Sequence, residues 1–265
     1  MTRRLVTLFH KEVLDLMRNR AALAPVVIAA AFALLMPFAI TILVPAFSHQ
    51  SLGADSELSS MSKVVGSRTG LGDNARVQLF LFQQFLLVFL LMPITGAMSL
   101  AAHAIVGEKQ ARTLEPLLAT PLKTVELLVA KVLGSLVPTL VISAFALGIY
   151  FAGIALTADA GVARAMLTLR TFLLVVDVAP LAALVSLQFA VVISARVNDA
   201  RTAQQFGVLI VLPLTVLLVA QFTGSLWLTN GAIVLIGLVL LLVWVVLTFI
   251  SVVMFERETI LTRWR

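Results

Sequence analysis

The sequence predicts an all-α polytopic membrane protein, with six transmembrane helices behind an amphipathic helix that lies in the membrane interface. Three observations predict it. Apolar residues make up 61% of the 265-residue chain and mean hydropathy is +1.08, more apolar surface than a chain of this size folded in water can cover with polar groups. The charged residues, 12% of the total, are gathered between long uncharged runs. Those runs reach the length of about 20 residues that a helix needs to cross ~30 Å of hydrocarbon.

The elements follow in chain order as a single domain over residues 1–265. An interfacial helix is expected over residues 2–20. Within residues 4–18, Leu5, Phe9, Val13, Leu16 and Met17 fall on one arc, and Arg4, Lys11, Asp15 and Arg18 on another. Such a helix lies flat, with its basic face toward lipid headgroups. Its candidate contact residues are Lys11, Glu12, Asp15 and Arg18. The basic N-terminal stretch and the length of the apolar run behind it do not fit a cleaved signal peptide.

Spans are expected at about 22–46, 79–102, 132–156, 171–195, 206–226 and 231–254. Residues 21–47, 77–102 and 132–158 carry no charge, and residues 171–195 carry only Asp177. Residues 202–255 are uncharged and too long for one span. The turn formers Thr223-Gly224-Ser225 and Thr229-Asn230-Gly231 divide them into two. Residues 48–76 form the one sizeable outer loop, with room for a short amphipathic piece but not for a separate domain. Pro93, Pro138, Pro180 and Pro213 lie inside spans and are expected to kink them.

Six spans put both termini on one side. On that side fall 14 of the 19 lysines and arginines, against Lys63, Arg68, Arg76, Arg164 and Arg170 on the other. Basic residues mark the cytoplasmic side, so both termini and the 103–131 connection are expected there. The same distribution explains the formal charge of +6 without nucleic acid. The chain has no cysteine, which excludes disulfides and thiolate metal sites. His10, His49 and His103 are far apart in sequence; His49 near Asp55 and Glu57 reads as a set of solvated loop residues, and no metal site is expected.

Between the second and third spans lies a charged island, residues 107–122: Gly107-Glu108-Lys109-Gln110-Ala111-Arg112-Thr113-Leu114-Glu115-Pro116-Leu117-Leu118-Ala119-Thr120-Pro121-Leu122. Gly107 is expected to stop the second span. Thr113 suits a helix cap, and Pro116 suits a first turn. Leu114, Leu117 and Leu118 then share one face, and Pro121 ends the piece. Lipid does not require a leucine face in an aqueous connection. A short helix presenting that face, with Glu108, Arg112 and Glu115 beside it, is suited to docking a partner.

This run resembles the signature of ABC-2 type permeases, the membrane subunits of a class of ATP-binding-cassette exporters. The stretch Lys11–Arg20 is similar to their amphipathic N-terminal helix, and Arg196–Gln205 to their connection between the fourth and fifth spans. The resemblance implies that the island docks into a groove of a separate cytoplasmic ATPase. It assigns coupling to Glu108, Arg112, Thr113, Glu115, Leu117, Leu118, Thr120 and Pro121. It further implies two ATPase copies carrying ATP and Mg, no cofactor on this chain itself, a second permease chain, and residence in the plasma membrane of a bacterium or archaeon. Two departures stand out. Ala111-Arg112 occupies the place where many relatives have a glycine before the threonine, and the large outer domain that some relatives carry is missing here.

The residues exclude other chemistries. There is no G-x-x-x-x-G-K-[ST], so this chain does not hold ATP by a P-loop, and neither H-E-x-x-H nor G-x-S-x-G occurs. Gln83, Gln84, Gln188 and Gln221 lie within apolar runs and suit hydrogen bonds between helices or the lining of a path. Asp177 is the one charge well inside a span, where it costs at least about 2.5–3.5 kcal/mol unless it faces protein or water. It is expected either to pair with Arg170, on the same helix face, or to sense a cation or proton. Three functions stay open at this level: the permease of an exporter, a membrane anchor or sensor that recruits an ATPase, and an intramembrane enzyme.

Overall fold

The computed structural model describes residues 9–11, 13–14, 19–66, 70–110, 124–194, 197, 199, 202, 205–206, 208–223 and 228–254. Among these the chain is mostly helical, with no strand. Helix α1 (Arg20–Ser48) starts at Asn19, whose side chain caps the amide of Ala22. A short helix, α2 (Ser56–Gly66), follows; Asp55 Oδ1 accepts from the amides of Glu57 and Leu58 at its start. The second apolar run forms α3 (Asp73–Phe89) and α4 (Leu91–Gln110), nearly continuous across Leu90. Then come α5 (Thr124–Thr157), the short α6 (Val162–Met166), α7 (Leu169–Ser194), α8 (Val208–Phe222) and α9 (Asn230–Met254).

Five of these segments are long and apolar enough to cross a membrane: Arg20–Ser48, Asp73–Gln110, Val129–Thr157, Leu169–Ser194 and Asn230–Met254. The sixth, α8, is shorter over its described residues, and the uncharged 202–255 run does divide into two helices. The chain is therefore an all-α polytopic membrane protein.

The α3–α4 segment is the pillar of the bundle. Every residue from Val77 to Leu90 is buried, Gln78, Gln83 and Gln84 included. Helices α1, α5 and α7 pack on α4, while α8 packs on α3 and α9 on α7. An aromatic cluster of Phe38, Phe82, Phe89 and Tyr150 joins α1, α3 and α5, and the buried Tyr150 hydroxyl donates to the Phe82 carbonyl at 2.8 Å. The outer helices turn large apolar side chains outward, such as Phe145, Leu242 and Phe249. In water that would be a liability; in hydrocarbon it is solvation.

Two expectations are corrected. Gly107 does not stop the second span, because α4 runs on to Gln110. A glycine inside a helix costs only about 1 kcal/mol relative to alanine, and tertiary contacts override it. The 38 residues from Asp73 to Gln110 extend about 57 Å, well beyond the ~30 Å of hydrocarbon, so both ends of this segment stand clear of it. The prolines also differ among themselves. Pro138 and Pro213 lie within unbroken α-helix. At Pro93 and Pro180 the helix is interrupted, by a turn at Leu90 and by a π-turn at Leu174–Val178. Each proline lacks the N–H that would reach the carbonyl four residues earlier, Phe89 or Val176, and the helix loosens there.

Candidate functional site at the basic end of the bundle

The end of α4, the first turns of α5, the N-terminal segment and the connection after α7 converge where α4 leaves the bundle. Glu108, on the last turn of α4, forms an ion pair through Oε2 with Lys131 Nζ on α5 at 2.6 Å. Its other oxygen, Oε1, receives Lys11 Nζ at 3.1 Å from the N-terminal segment. Lys131 also donates to the Ala104 carbonyl at 3.2 Å and is only 2% exposed, against 12% for Glu108 and 49% for Lys11. Beside them Lys109 Nζ reaches the Val197 carbonyl at 3.3 Å, in the connection after α7. Further in along α4, Ser99 Oγ donates to the Ala22 carbonyl of α1 at 2.8 Å, and His103 Nδ1 meets the Ser99 carbonyl at 2.9 Å.

A carboxylate between two ammonium groups is held from both sides. The deep pair with Lys131 is mechanical, since neither helix can move at this level without separating two poorly solvated charges. The half-exposed pair with Lys11 is weak and breakable. Glu108 thus fixes the root of the 107–122 island while leaving one contact able to open.

Of the sequence-derived site residues, Glu108 and Lys11 are brought together, a contact across 97 positions. Arg112, Thr113, Glu115, Leu117, Leu118, Thr120 and Pro121 lie outside the described residues, as do Glu12, Asp15 and Arg18 of the interfacial helix; residues 9–11, 13 and 14 are helical. Lys131 and Lys109 are additional members of the site. The only signal for Lys131 is a lone lysine at the foot of an apolar helix, on the side where Glu108 emerges.

At the opposite end, Asn74 Nδ2 donates to Asp159 Oδ2 at 2.6 Å and Gln78 accepts from the Asp159 amide, tying α3 to the loop before α6. The Arg170–Asp177 ion pair expected from the sequence is not formed. The Arg170 guanidinium instead donates to Gln221 Oε1 on α8 at 2.9 Å and to Gln83 Oε1 on α3 at 3.5 Å. Asp177 lies against Gly237 of α9, its carboxylate occupying the space a side chain there would fill. The π-turn Leu174–Val178 is the reason. A π-turn holds more residues than an α-turn, so the two residues no longer share the face that a regular helix would give them. Gln83 and Gln221 fill the interhelical role open to them from the sequence.

The model of the ABC-2 family transporter protein family matches residues 6–232, from the N-terminal segment to the start of α9. The chain belongs to the ABC-2 transporter family. No curated protein matches it. Within this ABC-2 transporter, the junction of Glu108, Lys11 and Lys131 lies inside the matched region, as does the island resembling the family's permease signature. Membership accounts for a chain of membrane helices whose charged residues concentrate at helix ends.

Proposed function

We propose that this ABC-2 family chain is the permease subunit of an ATP-driven exporter. It forms the translocation path with a second permease chain and is moved by two separate ATPase subunits that carry ATP and Mg. Its basic end, with both termini and the island, faces the cytoplasm of a bacterium or archaeon. Substrate leaves by the end that carries Asn74 and Asp159.

The observation that carries this reading is the double ion pair of Glu108. Force delivered to a loop moves a membrane only if the root of the loop is rigidly joined to the helices. Here the root is joined to α5 through a buried pair and to the N-terminal segment through an exposed one. Leu114, Leu117 and Leu118 supply the apolar docking contacts in this reading, and Glu115 and Arg112 supply charges for a partner.

The test is affinity purification of the tagged chain from its native membrane. The expected result is an ATPase subunit in the same complex, lost when Leu118→Asp places a charge on the apolar face. A wild-type chain that purifies intact without any ATPase contradicts the proposal, and so does Leu118→Asp retaining its partner at full occupancy.

A further inference from the structure

Val77, Phe80, Leu81 and Gln84 form one stripe along α3, since the last lies seven, four and three positions after the others. The first three are covered by Leu52, from the turn Leu52–Ala54, and by Leu58 and Met61 of α2. Gln84 continues the stripe inward. Phe222 of α8 meets the rings on either side of it, Phe80 at 6.5 Å and Phe85 at 6.3 Å. Gln84 is fully buried, yet neither atom of its amide has a hydrogen-bond partner among the described residues. Nearly every buried polar group in a folded protein is bonded, and one that is not disfavours the arrangement that encloses it.

The cover over this stripe is lightly held. From Ser51 to Ser62 only Leu52 and Ser62 are buried; Leu58 and Met61 are half-buried, and Asp55 and Glu57 are exposed. The chain enters the segment at His49 and returns to α3 after Gly70, and both residues lie in the left-handed region, at φ 54° and 63°. Such a conformation is uncommon for a residue other than glycine. A few residues of this kind at the ends of elements absorb the dihedral changes of a hinge. Gly53 is the seat of the cover. It lies so close to the start of α3 that a β-carbon there would stand 2.7 Å from the Asn74 amide nitrogen.

We propose that residues 50–66 are a lid, closed in this structure and hinged at His49 and Gly70. Swung open, it uncovers Val77, Phe80 and Leu81 and lets water reach Gln84. Closure buries three apolar side chains, and opening hydrates a stranded amide, so the two states offset one another. The lid stands at the end of the bundle opposite Glu108. In the reading proposed above it closes the path by which substrate leaves, but the lid itself does not rest on that reading.

The chain has no cysteine, so single thiols test the lid in the full chain, held in lipid nanodiscs open to reagent from both faces. Leu81→Cys places a thiol under the lid, and Leu87→Cys places one in the core beyond it. A polar, membrane-impermeant alkylating reagent is expected to label Leu81→Cys slowly and Leu87→Cys several-fold more slowly still. Gly53→Val, whose side chain collides with the start of α3, should raise the rate at Leu81→Cys several-fold and leave Leu87→Cys unchanged. Gln84→Leu removes the unbonded amide and should lower the rate at Leu81→Cys several-fold. Equal rates at the two thiols, or a rise at both with Gly53→Val, would show a general loosening of the bundle and overturn the lid. An unchanged rate with Gln84→Leu overturns it too, as does a Leu81→Cys thiol that stays unreactive with and without Gly53→Val.

Discussion

Glu108 and Lys131 meet at 2.6 Å across α4 and α5, with the lysine side chain nearly enclosed and its ammonium also held by the Ala104 carbonyl. A buried pair of this kind does not necessarily stabilise more than apolar residues in its place, but breaking one half of it is costly.

Glu108→Gln and Lys131→Met are each therefore expected to destabilise the bundle by about 3–5 kcal/mol. The double variant should recover part of the loss, because neither charge is then stranded. Lys11→Gln, whose lysine is half-exposed, should cost at most about 1 kcal/mol. Thermal unfolding of the purified chain in detergent, read as a double-mutant cycle, measures this. Additive losses for Glu108 and Lys131 would contradict the pair.

Gly237→Leu is expected to lower folded abundance sharply, since its side chain meets the Asp177 carboxylate. Asp177→Gly in the same chain should restore much of it. The swap Arg170→Asp with Asp177→Arg should rescue nothing, because the two residues face different neighbours. Membrane abundance of the single and double variants checks all three.

Gln221→Leu removes a 2.9 Å acceptor from the Arg170 guanidinium. Hydrogen bonds to charged groups contribute about 1.5–3 kcal/mol, so a loss of that order is expected in thermal unfolding. Gln221→Glu should retain the contact, and a loss equal to that of Gln221→Leu would argue that the side chain acts only through its volume.

The helices were legible in the sequence because their signal is local: uncharged runs of span length, with charges at their ends. The division of the uncharged 202–255 run into two helices was legible from its turn-forming residues. Contacts between distant residues were not. Nothing near Arg170 in sequence names Gln221 as its partner, and the helical face shared with Asp177 pointed elsewhere until the π-turn shifted the phase. Gly107 misled because a stop signal is a local preference, whereas the length of α4 is set by what it packs against. Within the site, Glu108 was legible from its charged island; Lys131 looked like an ordinary basic residue at a helix foot, and only the fold shows it buried beneath that carboxylate.

The proposed sidedness rests on the distribution of lysine and arginine. Reporter fusions at Ser60 and at Arg265 should fall on opposite sides of the membrane, with Arg265 in the cytoplasm. The same side for both would remove the six-span topology.

The central claim is that ATP bound by a partner subunit moves these helices through the island rooted at Glu108. Since the chain has no cysteine, Asn74→Cys gives a single thiol at the end opposite the island. The decisive measurement is its alkylation rate in the assembled permease–ATPase complex, with and without ATP and Mg. The rate is predicted to change on adding nucleotide, and Glu115→Ala is predicted to abolish that change while the complex still hydrolyses ATP. A complex that hydrolyses ATP with the same alkylation rate in both states, or one in which Glu115→Ala leaves the change intact, would contradict the account.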